Sequence, residues 1–216
     1  EVYGENGNDV VNAKGNNFIG VNGGNDTINL DGTGNNTIWV YNDTEDATAT
    51  FNMTINGATA SDTLKFNKGT IGGYSLADLS FAKDGNNLVI TIANDKGTVT
   101  VTDYFTTAEA NRINTFLTLE GETKLTSTLE WHTSNVTGEE AMYRVVTGDE
   151  TNEEITAIAG IKNWINAAGG DDTVTGANSG DMLAGNGGNN IINAVAGAEV
   201  YGENGNDVVN AKGNNF

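Results

Sequence analysis

The segment EVYGENGNDVVNAKGNNF occupies residues 1–18 and returns letter for letter at 199–216. Within it the nine residues GENGNDVVN, at 4–12 and again at 202–210, decide the fold. Gly4 and Gly7 permit the left-handed or strained angles of a tight turn, and Asn and Asp tolerate such angles best after glycine. Val10 and Val11 then form a strand too short to stand alone. The duplication marks either a tandem array with a period of 198 residues or a segment cut to overlap its own start. In both cases the ends continue one architecture, which points to a repeated structural or interaction protein.

Working outward, similar units of about nine residues fill both flanks, 1–42 and 152–216. The first flank holds GNDVV (7–11), GNNFI (15–19), GNDTI (24–28) and GNNTI (34–38). The second holds KNWI (162–165), GDDTV (170–174), SGDML (179–183), GNNII (188–192) and GAEVY (197–201) before the duplicated segment resumes. Stacked units give each short strand parallel neighbours, and inward side chains at every second position make a narrow core. Two units form one coil of about 18 residues with turns alternating between two edges, a parallel β-roll.

These units resemble the nonapeptide GGxGxDxUx of the repeats-in-toxin (RTX) family, U being a large apolar residue. GENGNDVVN at 4–12 and 202–210 matches best, followed by VNGGNDTIN (21–29) and AGGDDTV (168–174). The resemblance covers the flanks, about half the chain. It implies that six positions form a calcium-binding turn and three a strand, with each ion between turns stacked on one edge. Calcium takes six to eight oxygen ligands, and backbone carbonyls with carboxylates supply them. The turns around Gly4, Asn6, Gly7, Gly23 and Gly24 are candidates for the backbone part.

At the sixth position, one edge carries Asp9, Asp26, Asp172, Asn190 and Asp207; the other carries Glu1, Asn17, Asn36, Asn163, Asp181, Glu199 and Asn215. Asp9 with Asp26 puts two carboxylates on one ion and forms the best site. Asp172 with Asn190, Asn190 with Asp207, and Asp181 with Glu199 form poorer ones, because a neutral amide oxygen weakens a calcium site. Turns lined only by Asn stack as amide ladders instead. Several Ca2+ ions would relieve the self-repulsion of a chain with net charge −19.

Residues 43–151 read differently. FNMTI (51–55), DTLKF (62–66), LVITI (88–92), TVTVT (98–102) and RINTFLTL (112–119) alternate as half-buried strands. DGNN (84–87) and NDKG (94–97) are hairpin turns, and 107–112 is a helical turn. The run DLSFAKDGNNLVITI followed by GTVTVTDYF is similar to the segment that follows RTX blocks and caps the roll. The expected fold is therefore all-β: parallel β-roll flanks around an inserted antiparallel β-domain. That domain either sits in series between rolls or loops out of one continuous solenoid.

The acidic balance, 29 Asp and Glu against 10 Lys and Arg, argues against nucleic acid and anionic membranes as partners. No stretch approaches a membrane-spanning helix, and without cysteine there is no disulfide clue to compartment. His132 is the single histidine, so no HExxH zinc site exists, and WHTS offers no nucleophile elbow. The carboxylates Glu139, Glu140, Asp149, Glu150, Glu153 and Glu154 read as a solvated acidic loop. Trp39, Trp131 and Trp164 read as core or seam residues. The expected protein is a non-enzymatic, calcium-stiffened extender of a large RTX adhesin at the bacterial cell surface. The resemblance implies export by a type I system. As an isolated module it is expected to be monomeric, with neighbouring tandem copies as its partners. A ligand-binding module for sugar, protein or ice, or a matrix lattice protein, is the competing reading; Thr27, Thr37 and Thr173 do not recur often enough to form a binding row.

Overall fold

The computed structural model describes residues 1–40, 50–66, 73–92, 97–120 and 123–216. The chain divides into two compact units, Glu1–Ser127 and Thr128–Phe216.

The first unit is a β-roll of two facing parallel stacks. One stack runs β1 (Val2–Tyr3), β3 (Phe18–Val21), β5 (Thr37–Val40), β7 (Thr63–Lys65) and β11 (Thr115–Glu120), all parallel. The other runs β2 (Val10–Ala13), β4 (Gly24–Leu30), β6 (Phe51–Asn56) and β10 (Gly97–Val101) in parallel. It ends in antiparallel β9 (Asn87–Ile92) and β8 (Leu79–Asp84). Parallel register aligns the inward residues in columns: Ile19, Ile38, Leu64 and Phe116 on one side, Val11, Ile28, Ile55 and Val101 on the other. All are buried. Each Ile or Leu here contributes about 1.5–3 kcal/mol of burial.

The expected boundary at residue 42 is thus not a change of architecture. β6, β7, β10 and β11 belong to the segment set apart as an inserted domain, yet they extend the same parallel columns. The coil requires only aliphatic residues in register, and turns of other chemistry replace the Gly-Asn-Asp turn. In one of them Asp62 Oδ2 accepts from the Thr59 N–H (2.8 Å) and hydroxyl (3.1 Å). The antiparallel part of this unit is the β8–β9–β10 meander, whose DGNN turn places Gly85 at φ +58°. Residues 41–42 and all but Gly97 of the expected NDKG turn lie outside the described residues.

The second unit repeats the plan with an antiparallel lead-in. The 128–133 half of β12 (Thr123–Thr133) pairs antiparallel with β13 (Glu140–Thr147). From β13 a parallel stack continues through β15 (Lys162–Asn166), β17 (Met182–Gly187) and β19 (Glu199–Asn204). β14 (Glu154–Thr156), β16 (Thr173–Thr175), β18 (Ile191–Ala194) and β20 (Val208–Ala211) form the facing stack. Ile165, Val174, Leu183 and Ile192 are the buried centre. This roll starts at β13, before the expected residue 152.

Outward side chains form ladders at the ~4.8 Å strand spacing. Asn29 donates to Asn12 Oδ1 (2.9 Å), Asn56 to Asn29 Oδ1 (2.7 Å), and the Thr102 hydroxyl to Asn56 Oδ1 (2.8 Å). Replacing Asn56 by Ala removes both of its ladder bonds and is expected to cost about 1–2 kcal/mol, read as a lower urea midpoint at unchanged m-value.

Candidate metal-binding turns

Each roll has two turn edges, and their chemistry differs. On the first edge of the second unit, the Glu153 N–H donates to Asp172 Oδ1 (2.8 Å), Asp172 N–H to Asn190 Oδ1 (2.9 Å), and Asn190 N–H to Asp207 Oδ1 (2.9 Å). In the first unit the Asp9 N–H donates to Asp26 Oδ1 (2.9 Å) by the same rule. One carboxylate oxygen thus ties neighbouring rungs together. The other is left over: Asp9 Oδ2, Asp26 Oδ2 and Asp172 Oδ2 are buried with no hydrogen-bond partner. Asp26 is 2% exposed and Asp172 1%. A buried, unpartnered carboxylate oxygen is costly, and a cation removes that cost.

The turn backbone is shaped around these oxygens. A Cβ on Gly4 would lie 2.7 Å from Asp9 Oδ2, and one on Gly202 would lie 2.8 Å from Asp207 Oδ2. Glycine five residues before the carboxylate therefore leaves the space its outer oxygen fills. Gly7 and Gly24 adopt φ +144° and +114°, Gly23 +60°, and the Gly7 N–H donates to Gly23 O (3.0 Å). Asn6 lies exposed in the same turn. Burial, opposed by the Asp9 N–H and reinforced by the Asp9 charge, pushes the Asp26 carboxyl above its ordinary pKa.

The second edge satisfies itself. Asp181 Oδ1 accepts from the Asn163 N–H (2.8 Å) and Nδ2 (3.0 Å), and Oδ2 accepts from the Ala177 and Asn178 N–H groups (2.8 Å each). Glu199 accepts from the Ser134 hydroxyl and from the Tyr201 hydroxyl (3.1 Å). The expected pairing of Asp181 with Glu199 does not form, because this coil is one residue shorter than the one before. Register sets Met182 opposite Glu199, so Ala198, whose N–H donates to Asn215 Oδ1 (3.2 Å), takes the place after Asp181. In the first unit Asn36 donates from its N–H (2.9 Å) and Nδ2 (2.8 Å) to Asp62 Oδ1.

Two members of these columns are not apparent from the sequence pattern. Asp62 lies outside the Gly-Asn-Asp flanks; Thr59, three residues earlier, is the local signal of its turn. Glu153 belongs by composition to a solvated acidic loop, yet it stands next to Asp172 in the first-edge column, with its Oε2 accepting from the Asp149 N–H (3.0 Å). The threonine row is also denser than the flanks suggest. Thr27, Thr54 and Thr100 stand in register on one outer face, two of them in the segment expected to be a separate domain.

Elsewhere in the second unit a cavity of 730 Å3 is lined by Ser134, Glu139, Tyr143, Lys162, Glu199 and Phe216, among others. Burial first, then the charges of Glu199, Glu139 and Asp181, push the Tyr143 hydroxyl up to about 12, so it stays neutral. His132 lies 3.0 Å from Glu130 and packs edge-on against Trp164 with centroids 4.0 Å apart. Trp39 packs on Phe18 (5.7 Å) beneath the Lys65 ammonium (4.6 Å).

The Asp26 environment sets a pH test. Without metal the folded state holds the Asp26 proton more tightly than the unfolded chain does. The group therefore costs stability at neutral pH, and the cost fades as pH falls through its raised pKa toward 3.8. In EDTA, Asp26→Asn is expected to raise the urea midpoint at about pH 7, with the gap to wild type closing by about pH 4. In calcium the same variant is expected to bind roughly tenfold more weakly or worse.

No family model matches the sequence, and no curated protein matches it. Among solved structures, the extracellular lipase LipA from Serratia marcescens is similar to this chain, with 19% identity and a TM-score of 0.27. The match covers 95% of this chain and 31% of that one, so the chain spans under a third of the lipase's length. A TM-score of that size does not define a common fold, and nothing of the lipase's activity carries over. Among the described residues no helix is long and apolar enough to cross a membrane.

Proposed function

We propose that this chain is a calcium-binding extender repeat of a large secreted RTX-type surface adhesin, in which Ca2+ stiffens the rolls after export and projects a distal domain. The observation that carries the reading is the set of unpartnered buried oxygens on Asp9, Asp26 and Asp172, all on the first turn edge. Asp9 and Asp26 would hold one ion with carbonyls of the turns at Gly4–Gly7 and Gly23–Gly24. Asp172, between Glu153 and Asn190, would hold a second. Asn190 with Asp207 would form a weaker third position. The second edge, with Asp181 already saturated by protein donors, is left out of the metal set.

The direct test is calorimetric titration of Ca2+ into EDTA-treated protein, with Mg2+ as control. Binding of two or more Ca2+ ions, weakened in Asp26→Asn and unchanged in Asp181→Asn, is the expected result. No calcium heat, or indistinguishable binding of Mg2+, would overturn the reading. A second reading, a module that binds a regular hydroxylated surface such as polysaccharide or ice, is favoured by the aligned Thr27, Thr54 and Thr100. Retention on such a surface, abolished by Thr54→Tyr with the melting temperature intact, would support it.

A further inference from the structure

The duplicated segment forms the outermost rung of both units, and the two copies are bonded on opposite edges. In the first unit residues 1–18 pair with strands on their C-terminal side: Val2 with Ile19, Val10 with Thr27, Val11 with Ile28. In the second unit residues 199–216 pair with strands on their N-terminal side: Val200 with Leu183, Val208 with Ile191, Val209 with Ile192. Apart from Phe216, whose backbone already bonds back to Ala198 and Val200, each copy leaves free the edge the other uses. Val10 (66% exposed) and Val208 (54%) are the same position of that rung seen from the two units.

We infer that in the tandem protein one 18-residue segment serves both roles at once, so that a single uninterrupted roll crosses the boundary between copies. Three side-chain bonding rows continue through the segment, each under one rule. In the carboxylate column, the N–H of Glu153, Asp172 and Asn190 donates to the side chain one rung on, ending at Asp207; Asp9, the same residue, donates onward to Asp26. In the neighbouring column, Asp171 N–H donates back to Asn152, Asn189 to Asp171 and Asn206 to Asn189; Asn25 donates back to Asn8, the equivalent of Asn206. In the amide ladder, Asn210 donates to Asn193 and Asn29 to Asn12. Gly170, Gly188, Gly205, Gly7 and Gly24 share a column and all have positive φ.

One backbone difference agrees with a shared rung. Ala168, Asn186 and Glu203 are left-handed in one column, whereas Glu5, the equivalent of Glu203, is not, and no rung precedes it. With the preceding roll in place, Glu5 acquires the Glu203 conformation. The sequence repeat and the folded body are then out of phase: the copy boundary lies inside a roll, and Asp207 of one copy is Asp9 of the next. This inference rests on the tandem part of the proposed function and not on calcium.

The test is amide exchange by mass spectrometry on a two-copy chain, residues 1–216 continued by 19–216, in calcium and in EDTA. Only peptides that span the whole middle segment, from Ala198 on one side to Ile19 on the other, distinguish it from both terminal copies. The expected result is exchange at least ~100-fold slower in the middle segment than in either terminal copy. Middle exchange as fast as that of either terminal copy overturns the shared rung. Protection that is present and indifferent to EDTA keeps the shared rung and overturns the calcium reading instead.

Discussion

Removing divalent cations is expected to lower the melting temperature by about 6–16 °C and to loosen both rolls. The size of the effect comes from the orphaned carboxylates. A site occupied at ten times its dissociation constant adds about 1.4 kcal/mol, and two to three sites add about 3–4 kcal/mol. At this chain length each kcal/mol moves the midpoint by about 2–4 °C. The sign comes from burial: Asp26 and Asp172 are sealed from water, so their outer oxygens have neither solvent nor a protein donor. Bound calcium would also offset part of the net charge of −19, which opposes compaction. Thermal scans by circular dichroism in millimolar calcium and in EDTA check this. Equal midpoints would leave the rolls held by their amide ladders and aliphatic columns alone.

The second large effect is expected from Gly188→Ala, which should destabilise the second unit by about 2–6 kcal/mol with or without calcium. Gly188 has φ +105°, a conformation that costs a side-chain-bearing residue about 1–3 kcal/mol. An added Cβ would also lie 1.9 Å from the Gly170 carbonyl oxygen of the neighbouring rung. That contact is with backbone, so relief requires the rungs to separate, at about 1–3 kcal/mol more. Gly24, whose Cβ would meet Gly7 O at 1.8 Å, makes the same demand in the first unit. Gly85, with open space at its Cβ position, should show only the backbone strain. Urea unfolding of the three variants separates stacking clash from backbone strain.

The parts of this structure that are legible in the sequence are those where one residue type has one physical reason. Gly-Asn-Asp turns followed by two or three apolar residues identify rungs, and the register of those rungs sets Asp9 beside Asp26 and Asp172 beside Asn190. In the first unit β6, β7, β10 and β11 are hidden because the sequence before them lacks that signature. Only the inward columns, Ile28 to Ile55 to Val101 and Ile38 to Leu64 to Phe116, carry the roll onward, and a column emerges only once register is known. Glu199 is misplaced by unit spacing for a related reason. Coils of 17 and 18 residues cannot be told apart by counting units, and a slip of one residue moves a side chain to the other face. The saturation of Asp181 by the Asn163, Ala177 and Asn178 donors is a property of turn geometry that its spacing does not encode.

The measurement that tests the calcium assignment most directly is anomalous diffraction from crystals grown in calcium. Peaks are expected in the rung-to-rung gaps of the first turn edge, within about 2.3–2.6 Å of Asp9 Oδ2, Asp26 Oδ2 and Asp172 Oδ2. Empty gaps there, or peaks confined to Asp181 and Glu199 on the other edge, would contradict it.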